Sequence, residues 1–249
     1  MKVEWDYSHL ARPYLKRPDY SPDALGKMFE VANLKAGDFA CDVGAGVAHL
    51  TIPLLEFGLN VTAVEPNDAM RELGTERTQK WSNVKWIEGA GEDTRQDDNV
   101  FDFVSFGSSF NVTDRQKALQ ETNRILKSKG YFACMWNLRD LEDPLQKEVE
   151  NIIKSYATDY DYGTRREDQT QVILESKLFG KPEYIEGTVQ HQVDKQEWVE
   201  AWRSHATVSR QVGDKLGEVV DKIADLVSDK GDTLTVPYTT KIWVAQKLA

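Results

Sequence analysis

The run Asp42-Val43-Gly44-Ala45-Gly46-Val47-Ala48-His49 brings together a carboxylate, two closely spaced glycines and a helix start, directly after an apolar segment. Glycines let a backbone approach a ligand closely, and the first turn of a helix offers N–H groups that have no partner within it. Gly44, Ala45 and Gly46 are therefore a candidate cradle, and a side chain at Gly44 is expected to occupy space meant for ligand. A tight strand-to-helix turn alone would also call for glycine. Glu65 strengthens the ligand reading, because it ends the next apolar run about 20 residues after Gly44, where a carboxylate can accept hydrogen bonds from both ribose hydroxyls of an adenosine ligand. Asp42 offers a second carboxylate, suited to an ammonium group.

These residues need a scaffold of parallel strands. Apolar runs at 39–43, 61–65, 84–88, 101–106 and 130–136 alternate with helical patterns at 49–57, 68–81 and 115–127, the last with Ala118, Leu119, Thr122, Ile125 and Leu126 on one face. This alternation predicts an α/β fold, a Rossmann-like, mostly parallel seven-stranded sheet. Late strands at 183–192 and 233–246 are expected to close it as an antiparallel pair. After Trp136 the texture turns polar, with scattered aromatics and helical segments at 195–205 and 214–228. The sequence reads as a single domain, with an amino-terminal arm over 1–30, a core over 31–137 and helical cap segments over 138–182 and 193–232.

The 249 residues, 40% hydrophobic, suffice for one large core. A net charge of −10 lacks the positive field that phosphate-backbone binding requires, so nucleic acid is not expected as a partner. No apolar run approaches the ~20 residues of a bilayer span, and the start Met1-Lys2-Val3-Glu4 lacks the apolar core of a signal peptide, so a cytoplasmic location is expected. The two cysteines, Cys41 and Cys134, fall inside strand segments and read as core residues, and no metal site is expected.

Among adenosine ligands, a nicotinamide dinucleotide would need a third glycine, which falls at His49, and a second mononucleotide-binding half, which is missing. S-adenosylmethionine has no phosphate and asks for close backbone approach at its amino-acid end. The chain resembles class I S-adenosylmethionine-dependent methyltransferases of the type-11 branch, which includes trans-aconitate methyltransferase and many natural-product enzymes. The resemblance rests on Asp42 to Gly46, Val64-Glu65-Pro66-Asn67-Asp68-Ala69-Met70, Gly89-Ala90-Gly91-Glu92-Asp93-Thr94, Phe101-Asp102-Phe103-Val104, the stretch from Arg115 to Lys127, and Gly130 to Asn137.

That resemblance implies methyl transfer from S-adenosylmethionine to the nitrogen or oxygen of a small molecule, in the setting of secondary metabolism. It implies ribose binding by Glu65 beside Pro66, Met70 against the adenine face, and Gly91-Glu92 beside the adenine. It also implies an arm folded over the cofactor, in which Tyr14 or Arg17 reaches the methionine carboxylate. Tyr7, Tyr14, Arg17-Pro18 and Tyr20 fit such an arm, though burial alone would explain the same residues. Ser108 follows the fourth strand at the ligand edge of the sheet and can face the methionine end. Relatives often carry an aromatic followed by His-Trp here, whereas this chain reads Phe110-Asn111-Val112, which puts a carried-over histidine role in doubt and leaves Phe110 and Asn111 as substrate candidates.

Direct displacement at a methyl group needs alignment more than a base. Tyr14 and His205 are the catalytic candidates. His205 stands in a helix where relatives carry site-lining residues, although Trp198 and Trp202 at i, i+4 would also suit a helix whose histidine faces solvent. In the cap, Tyr160, Tyr162, Arg165 and Arg166 can recognise a carboxylate or stack on a flat acceptor. A non-catalytic S-adenosylmethionine-binding regulatory protein stays open as the alternative, because fold alone does not establish chemistry.

Overall fold

Seven strands form one sheet in the computed structural model, which describes residues 11–203 and 205–248. They are β1 (Phe39–Val43), β2 (Asn60–Val64), β3 (Val84–Ile87), β4 (Phe101–Gly107), β5 (Leu126–Arg139), β6 (Glu183–Asp194) and β7 (Thr233–Gln246). The spatial order is β3-β2-β1-β4-β5-β7-β6. β1 to β5 pair in parallel, and β7 is inserted antiparallel to both β5 and β6, so the expected late antiparallel pair closes the sheet. From β1 the chain winds outward to β3, then crosses back to β4 and winds the other way. Ligands of open α/β sheets bind in the crevice at such a reversal, here at the carboxyl ends of β1 and β4.

Successive side chains of a strand point to opposite faces, and the core divides accordingly. Ala40, Phe103, Ala133 and Ile242 pack on the side covered by α2 (Pro22–Val31) and α3 (Thr51–Phe57). Their neighbours Cys41, Val104, Cys134 and Trp243 pack on the side covered by α5 (Arg115–Ile125). Both cysteines are free, buried thiols whose pKa burial pushes up. The Asp114 carboxylate accepts the Lys117 N–H at 3.2 Å to start α5, which ends at Ile125 because Leu126 is already extended.

A third cluster covers the carboxyl-end side. In it α6 (Pro144–Tyr156), α8 (Lys195–Arg203), α9 (Ala206–Val212) and α10 (Leu216–Leu226) pack Val149, Ile153, Trp198, Trp202 and Ile223 onto Val193 and Val236 of β6 and β7. The arm enters through α1 (Ala11–Tyr14), whose Ala11 packs with Val47 and with Met70 of α4 (Asp68–Thr78). Lys16 reaches Glu197 of α8 at 2.6 Å, tying the arm to the cap. Tyr7 and Ser204 lie outside the described residues, as does the rest of segment 1–10.

One boundary differs from the sequence reading in a way that matters for the site. Leu138 and Arg139 read as the start of the cap, but with Asn137 they continue β5, each paired with β7 up to Arg139 opposite Tyr238. Polar side chains hid the strand, and the long ladder to β7 sustains it.

Candidate active site

The loop after β1 is pinned before any ligand arrives. Gly44 and Ala45 both donate their N–H to the Val64 carbonyl, at 2.8 and 3.1 Å. Gly44 and Gly46 have φ of 68° and 55°, in the left-handed region that favours glycine. Their surroundings differ. A Cβ on Gly44 would lie 2.4 Å from the Ser109 Cβ, so this glycine is required by packing of the β1 loop on the β4 loop; the expectation that a side chain there would simply invade ligand space is corrected. At Gly46 the nearest atom to a Cβ would be the Met70 sulfur at 3.8 Å, which leaves open room beside the backbone.

Glu65 is 5% exposed and held from two sides. Its carboxylate accepts the N–H of Gly46 and that of Asn67, each at 2.8 Å, and Arg71 donates to its main-chain carbonyl. Burial raises its pKa, and the two backbone bonds and Arg71 oppose that rise. Each carboxylate oxygen keeps a second lone pair for a ligand hydroxyl. Asp42 is fully buried, accepting Thr51 Oγ1 at 2.7 Å and Ser105 Oγ at 3.3 Å. Burial pushes its pKa up to about 7, against those two hydroxyls.

A cavity of about 390 Å³ opens at these strand ends, within the range of small-molecule sites. Its wall brings together Asp42, Gly44, Ala45, Gly46, Glu65, Pro66, Met70, Glu92, Ser108, Tyr14, Arg17, Arg165, Arg166 and His205, all singled out in the sequence. Ser108 has φ of 61° at the end of β4, with its hydroxyl 3.1 Å from that of buried Tyr20. Non-glycine residues seldom adopt that conformation, and they collect at functional sites.

Five candidates stand elsewhere. Gly91 is not part of the wall and packs behind it, a Cβ there lying 2.6 Å from Thr113 Cγ2, while Thr113 and the neighbours Ala90 and Glu92 line the cavity. Phe110 is fully buried among Phe106 and Phe132. Asn111 accepts the Trp136 indole N–H at 2.8 Å. Tyr160 and Tyr162 pack edge to face, their centroids 5.1 Å apart, within the third core cluster. Their apolar bodies find more contact in the cap than at a partly wet wall.

Several wall residues were not anticipated. His49 donates from Nε2 to the Tyr14 carbonyl at 2.9 Å, and its Nδ1 lies 3.0 Å from the Asp19 carboxylate. Asn137 donates to the carbonyls of Pro18 and Asp19, both at 2.9 Å. Together they latch the arm over the cavity. Trp198, Trp202, Tyr238 and Arg139 complete the far wall. Both tryptophans are core, as i, i+4 spacing suggests, and also line the cavity. The sequence carried no pattern signal for Arg139, because the polar Asn137 and Arg139 interrupt the apolar run of β5.

In that wall Arg139 pairs with Glu150 at 2.9 Å, both nearly buried, and its guanidinium sits 4.9 Å from the Trp202 ring centroid. Glu150 also accepts the Tyr162 hydroxyl and lies 3.3 Å from Lys154. His205 stacks on Trp202 at 5.3 Å and 13°, and its Nδ1 accepts the Val208 N–H at 3.4 Å to cap α9. Burial, then the charges of Arg165, Arg17 and Arg139, hold its pKa well below the ordinary histidine value. A neutral ring with Nδ1 accepting carries its proton on Nε2.

Residues 41–134 match the family described as "Methyltransferase domain", type 11. The chain is 35% identical over 128 residues to the ubiquinone/menaquinone biosynthesis C-methyltransferase UbiE of Zymomonas mobilis, a match that covers 50% of this chain and 51% of that protein. It thus spans about half the length of that relative. The fold is similar to that of the YcgJ protein of Bacillus subtilis, with a TM-score of 0.58, 19% identity and coverage of 91% and 99% of the two chains. It is also similar to geranyl diphosphate C-methyltransferase of Streptomyces coelicolor in complex with Mg2+, geranyl diphosphate and S-adenosyl-L-homocysteine, with a TM-score of 0.51, 16% identity and coverage of 100% and 86%. The reversed parallel sheet, the glycine turn closed on Glu65 and the match over residues 41–134 make this part of the chain similar to the type-11 class I S-adenosylmethionine-dependent methyltransferases.

Proposed function

We propose that this chain transfers a methyl group from S-adenosylmethionine to the nitrogen or oxygen of a small-molecule acceptor. The observation that carries the reading is Glu65, fixed by the Gly46 and Asn67 amides on the wall of a cavity that continues into a chamber of aromatic and polar side chains. When bound, the cofactor supplies an electrophilic methyl carbon: the acceptor lone pair forms the new bond as the sulfur–carbon bond breaks, its electron pair stays on sulfur, and an N–H or O–H proton leaves to solvent.

The residues divide the binding work. Glu65 accepts the ribose hydroxyls, Met70 and Pro66 cover the adenine beside Glu92, and the open face of Gly46 admits close backbone approach. Asp42 faces the ammonium group, whose charge favours the ionised carboxylate. Arg17 and Tyr14, carried by the latched arm, serve the methionine carboxylate, and Tyr20 with Ser108 borders the methyl-transfer position.

His205, neutral and protonated on Nε2, acts as a hydrogen-bond donor there. Alignment and exclusion of water then supply the rate, and the closed arm serves both.

Calorimetry with S-adenosylmethionine, S-adenosylhomocysteine and NAD tests the ligand. Micromolar binding of the first two and none of NAD is expected; binding of NAD alone overturns the reading. Transfer of a labelled methyl group to any member of a panel of amines, phenols and carboxylic acids separates an enzyme from a regulatory binder.

A further inference from the structure

The two ends of the cavity carry opposite charge. Asp42, Glu65 and Glu92 line the end beside the glycine turn, whereas Lys16, Arg17, Arg139, Arg165 and Arg166 line the other, in a chain whose net charge is −10. Lys16 is paired with Glu197 and Arg139 with Glu150. Among the described residues no ion pair is recorded for Arg17, Arg165 or Arg166. Arg17 stacks 4.2 Å from the Tyr14 ring, and Arg166 donates to the Arg139 carbonyl at 3.0 Å while stacking 4.5 Å from Tyr162.

Unmet hydrogen-bonding capacity gathers at the same place. Five buried side-chain polar atoms lack a partner among the described residues, and four belong to this cluster: Arg139 Nη1, Arg165 Nε, Arg166 Nε and Tyr160 Oη. Buried donors are nearly always satisfied, and an orphaned buried guanidinium N–H is costly, so their concentration marks a cluster whose positive charge the protein itself leaves uncompensated. All are donors, and among the described residues no carboxylate lines this end. Burial, then the charges of Arg17, Arg139 and Arg166 against the opposing Tyr160, pulls the Arg165 pKa down to about 10, so it remains a cation at neutral pH.

We infer that the acceptor enters as an organic oxyanion, a carboxylate or phosphate on a flat apolar body, whose charged group is held by Arg165 with Arg166 and the His205 Nε2–H. The planar guanidinium fork matches either oxyanion, and Trp198, Trp202 and Tyr238 supply the wall for the body. An ammonium-bearing acceptor would meet repulsion here. These three arginines also divide between two anions: Arg17 on the arm for the cofactor carboxylate, Arg165 with Arg166 in the cap for the acceptor. This inference rests on the methyl-transfer reading for its use of the word acceptor.

The test titrates the full chain, with and without saturating S-adenosylhomocysteine, with four probes of similar body: 4-hydroxybenzoate, phenyl phosphate, 4-hydroxybenzyl alcohol and 4-hydroxybenzylamine. At least one anion is expected to bind about tenfold tighter than the alcohol, and the amine weakest. Comparison of the two anions decides between carboxylate and phosphate. Arg165→Met should abolish the preference and Arg165→Lys restore part of it, both without change in S-adenosylhomocysteine affinity. The matched Lys variant keeps the buried charge, so a folding defect in the Met variant does not mask the result. Equal affinity for alcohol and anions, failure of both anions to bind, or an unchanged preference in Arg165→Met overturns the inference. Loss of S-adenosylhomocysteine binding in the wild-type protein would instead remove the methyl-transfer reading, leaving the anion site standing on its own titrations.

Discussion

The glycine-turn end and the cap end of the cavity are built on opposite plans. At the first, every carboxylate already has partners: Glu65 takes two backbone amides, Asp42 takes two hydroxyls, and Glu92 accepts the Asp114 N–H at 2.6 Å. At the second, four guanidinium and phenol donor atoms are buried with no partner among the described residues. The difference teaches how binding work is divided. A carboxylate end can satisfy itself internally and keep spare lone pairs, whereas the cap end leaves the positive charge of its arginines for an incoming anion to balance.

The strongest way to break the first plan is at its turn. Gly44→Val should lower stability by about 3 kcal/mol, because a Cβ collides with Ser109 and a β-branched residue resists a left-handed backbone. A thermal melt within error of the wild type would show that the loops can separate. Gly46→Ala serves as the control, with a stability cost of about 1 kcal/mol and no collision, and with weakened cofactor affinity.

Next in size, Glu65→Ala should weaken S-adenosylhomocysteine binding by roughly 1–3 kcal/mol, by loss of a charged acceptor. An unchanged dissociation constant in the folded variant would remove Glu65 from the site.

A smaller effect sharpens the role of Asp42. With its pKa raised to about 7, the free protein holds a proton there below that pH, and an ammonium ligand must expel it. Affinity should therefore fall as pH drops below 7, by roughly tenfold per unit, with proton release on binding. Calorimetry in buffers of different ionisation enthalpy measures that release, and Asp42→Asn should flatten the profile. A flat wild-type profile between pH 5.5 and 7 would place the ammonium elsewhere.

The glycine-turn end was legible in the sequence and the cap end much less so, for physical reasons. Strand β1, the glycine turn and Glu65 are joined by local geometry: a strand buried on both faces, a required left-handed turn and a short crossover place them together whatever else the chain does. Arg139 looked like a cap residue because polar side chains on a strand that lines a cavity interrupt the apolar run. Tyr160 and Tyr162 were expected beside the acceptor with Arg165 and Arg166, but only the arginines line the cavity. Proximity in sequence could not tell which way a turn points. His49 was used to argue against a dinucleotide, and its work in latching the arm depends on contacts 30 and 35 residues away.

The central claim is that one cavity holds two separately built binding ends, and a reciprocal titration tests it most directly. The Glu65→Ala and Arg165→Met variants are each titrated with S-adenosylhomocysteine and with whichever of 4-hydroxybenzoate and phenyl phosphate binds the wild type tighter. The account predicts that Glu65→Ala loses about tenfold or more in S-adenosylhomocysteine affinity while keeping the anion within about twofold, and that Arg165→Met does the reverse. If Arg165→Met weakens S-adenosylhomocysteine as much as Glu65→Ala does, the cap arginine belongs to the cofactor and the division proposed for this cavity is wrong.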